Sequence, residues 1–146
     1  MGIEYLENLV KETYEAGKPI EGSADTDELA HLANLASDPR IKMIGEIGFN
    51  AGISSYTFLE ANPDAAVYSF DLGEYAYVAP AKEYIDRIFP GRHTLILGNS
   101  VNTVPEFRKT NPRLMFDLIF IDGGHDYEIV MADLLNMREF ATKETL

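Results

Sequence analysis

Four short stretches of this chain carry residues able to handle a small polar ligand. Glu46-Ile-Gly48-Phe-Asn-Ala-Gly52 closes an apolar run (Ile41, Met43, Ile44, Ile47) and leads into a segment with Tyr56, Phe58 and Leu59. Glycines at such a place let the backbone turn sharply and approach a ligand, because a Cβ would obstruct both. Asp71 ends the apolar stretch Tyr68-Ser-Phe70, where a carboxylate can grip the hydroxyls of a ribose. Gly98-Asn99-Ser100 forms a small polar turn, and Asp122-Gly123-Gly124-His125 combines a carboxylate with an imidazole. An imidazole titrates near neutrality and suits removal of a proton from a substrate hydroxyl.

These stretches recur after apolar runs, so the elements that position them are readable. Leu6, Leu9, Val10, Thr13 and Tyr14 fall at helical spacing and predict a first amphipathic helix. Asp25-x-x-Glu28 reads as a capping box that opens a second helix with Leu29, Leu32, Ala33 and Ala36 on one face, ended by Pro39. Strands are then predicted at about 41–47, 66–70, 94–97 and 116–121, alternating with helices at about 53–61, around Ala81–Ile88, from about Val104, and through Ile129, Val130, Leu134, Met137 and Phe140. The strands are near-continuous apolar runs, the pattern of parallel strands covered on both faces. Repeated βα units imply an α/β, Rossmann-like, doubly wound parallel sheet, with residues 1–39 as a helical extension of a single domain spanning 1–146. Ligands of such sheets bind beyond the carboxyl ends of the strands. All four polar stretches fall at that edge.

A dinucleotide site asks for G-x-G-x-x-G, but the matching positions here are Gly48, Asn50 and Ile53, with no Lys or Arg in the loop for a pyrophosphate. A nucleoside carrying a cationic group needs less: backbone room, an acid for the ribose, an adenine slot and negative charge. S-adenosylmethionine fits, its sulfonium and ammonium suiting Glu46 and an acidic site. A nicotinamide-dependent oxidoreductase fragment is the more distant alternative.

With these motifs in order, the sequence resembles the class I S-adenosylmethionine-dependent methyltransferases, and within them the small-molecule O-methyltransferases that carry Ile-Asp-Gly-x-His-x-Tyr after the fourth strand. Glu46 to Gly52 matches E-x-G-x-x-x-G, with Asn50 where many members have a second glycine. Phe116 to Glu128 is the most family-specific segment, and Asn99 replaces the acid of the usual Gly-Asp-Ala turn. The resemblance implies cofactor contacts from Glu46, Gly48, Phe49, Asn50, Gly52, Asp71, Leu72, Asn99, Ser100 and Asp122. It implies catalytic roles for Asp122 and His125, and for Asp122 an incomplete Mg²⁺ site. Tyr75 and Tyr77 are candidate walls of the pocket, while His31 and His93 read as structural or solvated.

Composition narrows the partners. The 146 residues carry 24 acids against 12 Lys and Arg, a net charge of −12 that disfavours nucleic acid and anionic membrane surfaces. Zero cysteines exclude disulfides and thiolate chemistry and fit a cytoplasmic location. No apolar run approaches the ~20 residues of a membrane span, and the acidic start is not a secretory signal. The family's sheet has seven strands and four are legible, so the catalyst is expected to be incomplete: a truncated domain, or one completed by self-association through the open edge beside Leu118–Ile121. A cofactor-binding module without catalysis is the runner-up to a methyltransferase acting on a small-molecule hydroxyl.

Overall fold

A computed structural model describes residues 2–22 and 24–146. The elements run α1 (Ile3–Glu15), α2 (Thr26–Ala36), β1 (Met43–Ile47), α3 (Ile53–Ala61), β2 (Ala66–Asp71), α4 (Val78–Ile88), β3 (His93–Leu97), α5 (Ser100–Thr110), β4 (Leu118–Ile121) and α6 (Tyr127–Arg138). The four strands form one parallel sheet in the order β3-β2-β1-β4. From β1 the chain winds outward through β2 to β3, then returns across the sheet to place β4 on the other side of β1. The winding therefore reverses between β1 and β4, the position at which an open α/β sheet leaves a crevice at its carboxyl edge.

Alternation along the strands supplies two cores. Ile44, Val67 and Leu118 face a layer built from α1, α2, α3 and α4, where Leu6, Phe58, Tyr84 and Ile85 are buried. Ile47 and Phe70 face α5 and α6, with Val104, Phe116, Met137 and Phe140. Both faces of the sheet are thus covered, which is why its strands read as apolar runs.

Boundaries depart from the sequence reading at α5, β4 and α6. Helix α5 starts at Ser100, not Val104, because Asn99 caps it through a bond from the Val101 amide (3.0 Å), and Pro105 is accommodated inside it. Strand β4 starts at Leu118, since Phe116 bonds outside the ladder to the Phe140 carbonyl. Helix α6 ends at Arg138, leaving Phe140 beyond it as a core residue. Asp25 caps α2 by accepting from the Glu28 amide at 2.9 Å. The outer edge of β4 is met by the last residue: the Leu146 amide donates to the Asp117 carbonyl and the Ile119 amide to the Leu146 carbonyl, both at 3.0 Å. Among the described residues no helix is long and apolar enough to cross a membrane.

Candidate functional site

The β1–α3 loop is shaped by a residue on the neighbouring strand, 22 positions after Phe49. Asp71, the last residue of β2, accepts from the amides of Phe49 and Asn50 with Oδ2 and from Gly73 with Oδ1, at 2.7–2.8 Å. Its carboxylate thus fixes the loop and closes the end of its own strand. Gly48 (φ 98°) passes so close to β4 that a Cβ would lie 2.2 Å from the Asp122 carbonyl oxygen. Gly52 (φ 74°) caps α3, and a Cβ there would meet the Phe49 ring at 2.8 Å. Both glycines are required by close approach as well as by backbone angle.

Asn50 also lies in the left-handed region (φ 52°), alone among the described non-glycine residues. Its substitution for glycine has a visible consequence: its Nδ2 donates to the Gly22 carbonyl at 2.9 Å. One residue earlier, the Glu21 amide donates to the Tyr77 hydroxyl at 3.1 Å. Glu21 and Gly22, between α1 and α2, are therefore drawn over the carboxyl edge of the sheet as a strap.

Beneath and beside the strap are two adjoining cavities. The first, about 260 Å³, is lined by the Gly48–Ala51 loop, the start of α3, Glu28, Phe120 and His125. The second, about 160 Å³, is lined by Asp71, Leu72, Tyr75, the Gly98-Asn99-Ser100 turn and the Gly123-Gly124 loop. Glu21, Gly48 and Asp122 line both, so the cavities meet over Gly48. Among the described residues no Lys or Arg lines either cavity, whereas five carboxylates do: Glu21, Glu28, Asp71, Glu74 and Asp122. Burial pushes the Glu21 carboxyl up, and the neighbouring Asp71 and Asp122 add to this while His125 opposes it. A cation would relieve that crowding; a pyrophosphate would aggravate it.

Most of the expected residues therefore converge, in different ways. Gly48, Asn50, Asp71, Leu72, Asn99, Ser100, Asp122 and His125 line the cavities. Phe49 lines the first cavity but is almost fully buried, its ring packed against His93 at a centroid distance of 5.1 Å. Tyr75 lines the second cavity, but Tyr77 is buried and serves as the strap's anchor.

Glu46 takes a position that charge alone did not assign. Its side chain is fully buried under α3 and lines neither cavity. Hydroxyls of Ser55 and Ser69 donate to Oε1, the latter at 2.6 Å, and Ser54 donates to Oε2 at 2.9 Å. Ser69 in turn meets His93 Nε2 at 2.8 Å. Burial raises the Glu46 carboxyl to about 7 against the opposing pull of the Ser55, Ser69 and Ser54 bonds, with Asp71 adding to the rise. Burial, helped by Lys82, lowers His93 to about 3. Burial thus favours the neutral form of both groups. Asp133 on α6 is a further buried acid, accepting from Ser100 at 2.6 Å and raised by burial against that bond.

The Mg²⁺ expectation is not supported. Among the described residues no three metal-ligating side chains converge, so Asp122 belongs to no group able to enclose a hard cation. Sequence reasoning also missed Glu21, whose only local signal is the Pro19 and Gly22 punctuation around it.

Comparison with known proteins agrees with this fold. The family model described as a methyltransferase domain matches residues 46–146, and the chain belongs to that family. Among solved structures, an O-methyltransferase from Bacillus cereus in complex with SAH is similar at a TM-score of 0.77 and 19% identity, covering 94% of this chain and 61% of that one. The SAH-bound methyltransferase PaMTH1 of Podospora anserina matches at 0.74 and 23%, covering 98% and 58%. The O-methyltransferase TomG of Streptomyces achromogenes, in complex with SAM, matches at 0.71 and 19%, covering 91% and 60%. The chain thus spans about three fifths of the length of these structures. No curated protein matches the sequence.

Proposed function

We propose that this member of the methyltransferase-domain family binds S-adenosylmethionine in the paired cavities and forms the cofactor-binding part of an enzyme that methylates a hydroxyl of a small molecule. The observation that carries the reading is the junction over Gly48, where the cavity bearing Asp71 adjoins the one bearing His125, Asp122 lines both, and among the described residues acids but no Lys or Arg line either.

Asp71 has one oxygen with a single amide partner, which leaves it able to accept from a ribose hydroxyl while still holding the loop. Leu72, 58% exposed, offers an apolar wall for a base, and the Asn99 amide presents hydrogen-bonding groups beside it. When bound, S-adenosylmethionine supplies an electrophilic methyl carbon on a sulfonium. The residues of this chain align an acceptor from the side of the first cavity, where His125 can take the hydroxyl proton and Asp122 can orient the attacking oxygen. Glu21 of the strap lines the junction.

Calorimetric titration with S-adenosylmethionine, S-adenosylhomocysteine and NAD tests the reading. Micromolar binding of the first two, abolished by Asp71→Ala, is expected; binding of NAD alone would refute it. Binding without turnover on a panel of hydroxylated acceptors would retain the cofactor assignment and favour a non-catalytic module.

A further inference from the structure

Glu21 is placed with more care than a linker residue needs. Its own amide is held by the Tyr77 hydroxyl at 3.1 Å, and the next carbonyl, that of Gly22, is held by Asn50 Nδ2 at 2.9 Å. Tyr77 is buried at the start of α4 and Asn50 belongs to the glycine loop. The two anchors come from different parts of the chain and hold successive residues of the strap. The half-buried Glu21 side chain then lines both cavities, across from Asp122, which does the same. Two carboxylates facing a shared space that, among the described residues, no Lys or Arg lines is an arrangement that a positive ligand group would complete.

We propose that Glu21 is the residue that recognises the charge of the cofactor, selecting the sulfonium of S-adenosylmethionine over the neutral thioether of S-adenosylhomocysteine. The inference rests on the cofactor reading above. A nucleoside in the Asp71 slot with its sulfur directed toward the first cavity has that sulfur at the junction, where Glu21 and Asp122 meet. Glu46 cannot serve, because it is sealed beneath the loop by three serine hydroxyls. Loss of the positive charge on methyl transfer removes the attraction, so Glu21 also favours release of the product. Asn50 acquires a reason for replacing glycine: it accepts the left-handed angle and, with its side chain, sets the strap that carries Glu21.

The test is the ratio of two affinities, measured by calorimetry at pH 7.5 on wild type, Glu21→Gln and Glu21→Asp. Glu21→Gln is expected to weaken S-adenosylmethionine by about fivefold, the effect of one partly exposed charge pair, and to leave S-adenosylhomocysteine within about twofold. Glu21→Asp, which keeps the charge, is expected to restore most of the preference. Equal weakening of both ligands would mean that Glu21 shapes the strap or meets a group the two ligands share, and unchanged affinity for both would mean that it meets neither; either overturns the proposal while leaving the cofactor reading intact. Failure of wild type to bind either ligand overturns both.

Discussion

Replacing Glu46 by Gln should change how the stability of the fold depends on pH, and in a direction that the buried network fixes. Native Glu46 keeps its proton up to about 7, whereas the same group in the unfolded chain releases it near 4.5. Between those values the native state holds one more proton than the unfolded state, so stability falls as pH rises. The contribution is fully present below 4.5, declines across that window, and is gone above about 7. Its size is about 3 kcal/mol, at 1.36 kcal/mol for each tenfold in proton affinity. His93 runs the other way: lowered to about 3 from 6.5, it stays neutral while the unfolded histidine takes up a proton, and it removes stability as pH falls through that range. The two slopes oppose between 4.5 and 6.5, and their sum in wild type is nearly flat. A single profile therefore hides both, and the difference between variant and wild type exposes the Glu46 part. Glutamine has nearly the shape of the protonated acid and can pair with the same serine hydroxyls, so near pH 4.5 the two proteins should be within about 1 kcal/mol. By pH 8 Glu46→Gln should have gained about 3 kcal/mol relative to wild type. Urea denaturation at half-unit intervals of pH measures this. A difference that stays constant within ~0.5 kcal/mol over the range, about a sixth of the expected change, would refute the claim that native Glu46 is held protonated.

Gly48→Ala should be severe, costing about 2–5 kcal/mol from the left-handed backbone and from a Cβ driven against the Asp122 carbonyl; Gly17→Ala, at φ 69° with open space around it, should cost only about 1–2 kcal/mol. Chemical denaturation of the pair checks this, and equal losses would show that contact with β4 is not what requires the glycine. Asp71→Asn should cost about 1–3 kcal/mol, because an amide leaves one of three donors facing another donor. Hydrogen exchange should find the Phe49 and Asn50 amides less protected in that variant, and unaltered protection would contradict the loop-fixing role.

What could be read from the sequence was whatever is encoded locally. Runs such as Ile41–Ile47 and Leu118–Ile121 announce buried parallel strands, and their order alone predicts a crevice where the winding turns back. The polar residues just past each strand were found for the same reason, since strand ends place them at one edge without any knowledge of side-chain direction. Direction is where the reading failed. Glu46 lies within β1, one residue before its end, and the period of two turns its side chain to the α3 face rather than outward to the cleft. Three serines, two of them on the first turn of α3 and one on β2, then make the buried position tolerable; their hydroxyls carry no signature that pairs them with an acid in the sequence. Glu21 was hidden for the opposite reason. It lies in a linker without periodicity, and its place depends on Tyr77 and Asn50, far along the chain in regions that had separate explanations. Yet the clue to it was present in the one departure from the glycine motif. An asparagine in a left-handed turn keeps a side chain that glycine gives up, and such a side chain needs a partner. The partner here is the strap, so the irregular residue of the motif marks where the cleft acquires its second wall.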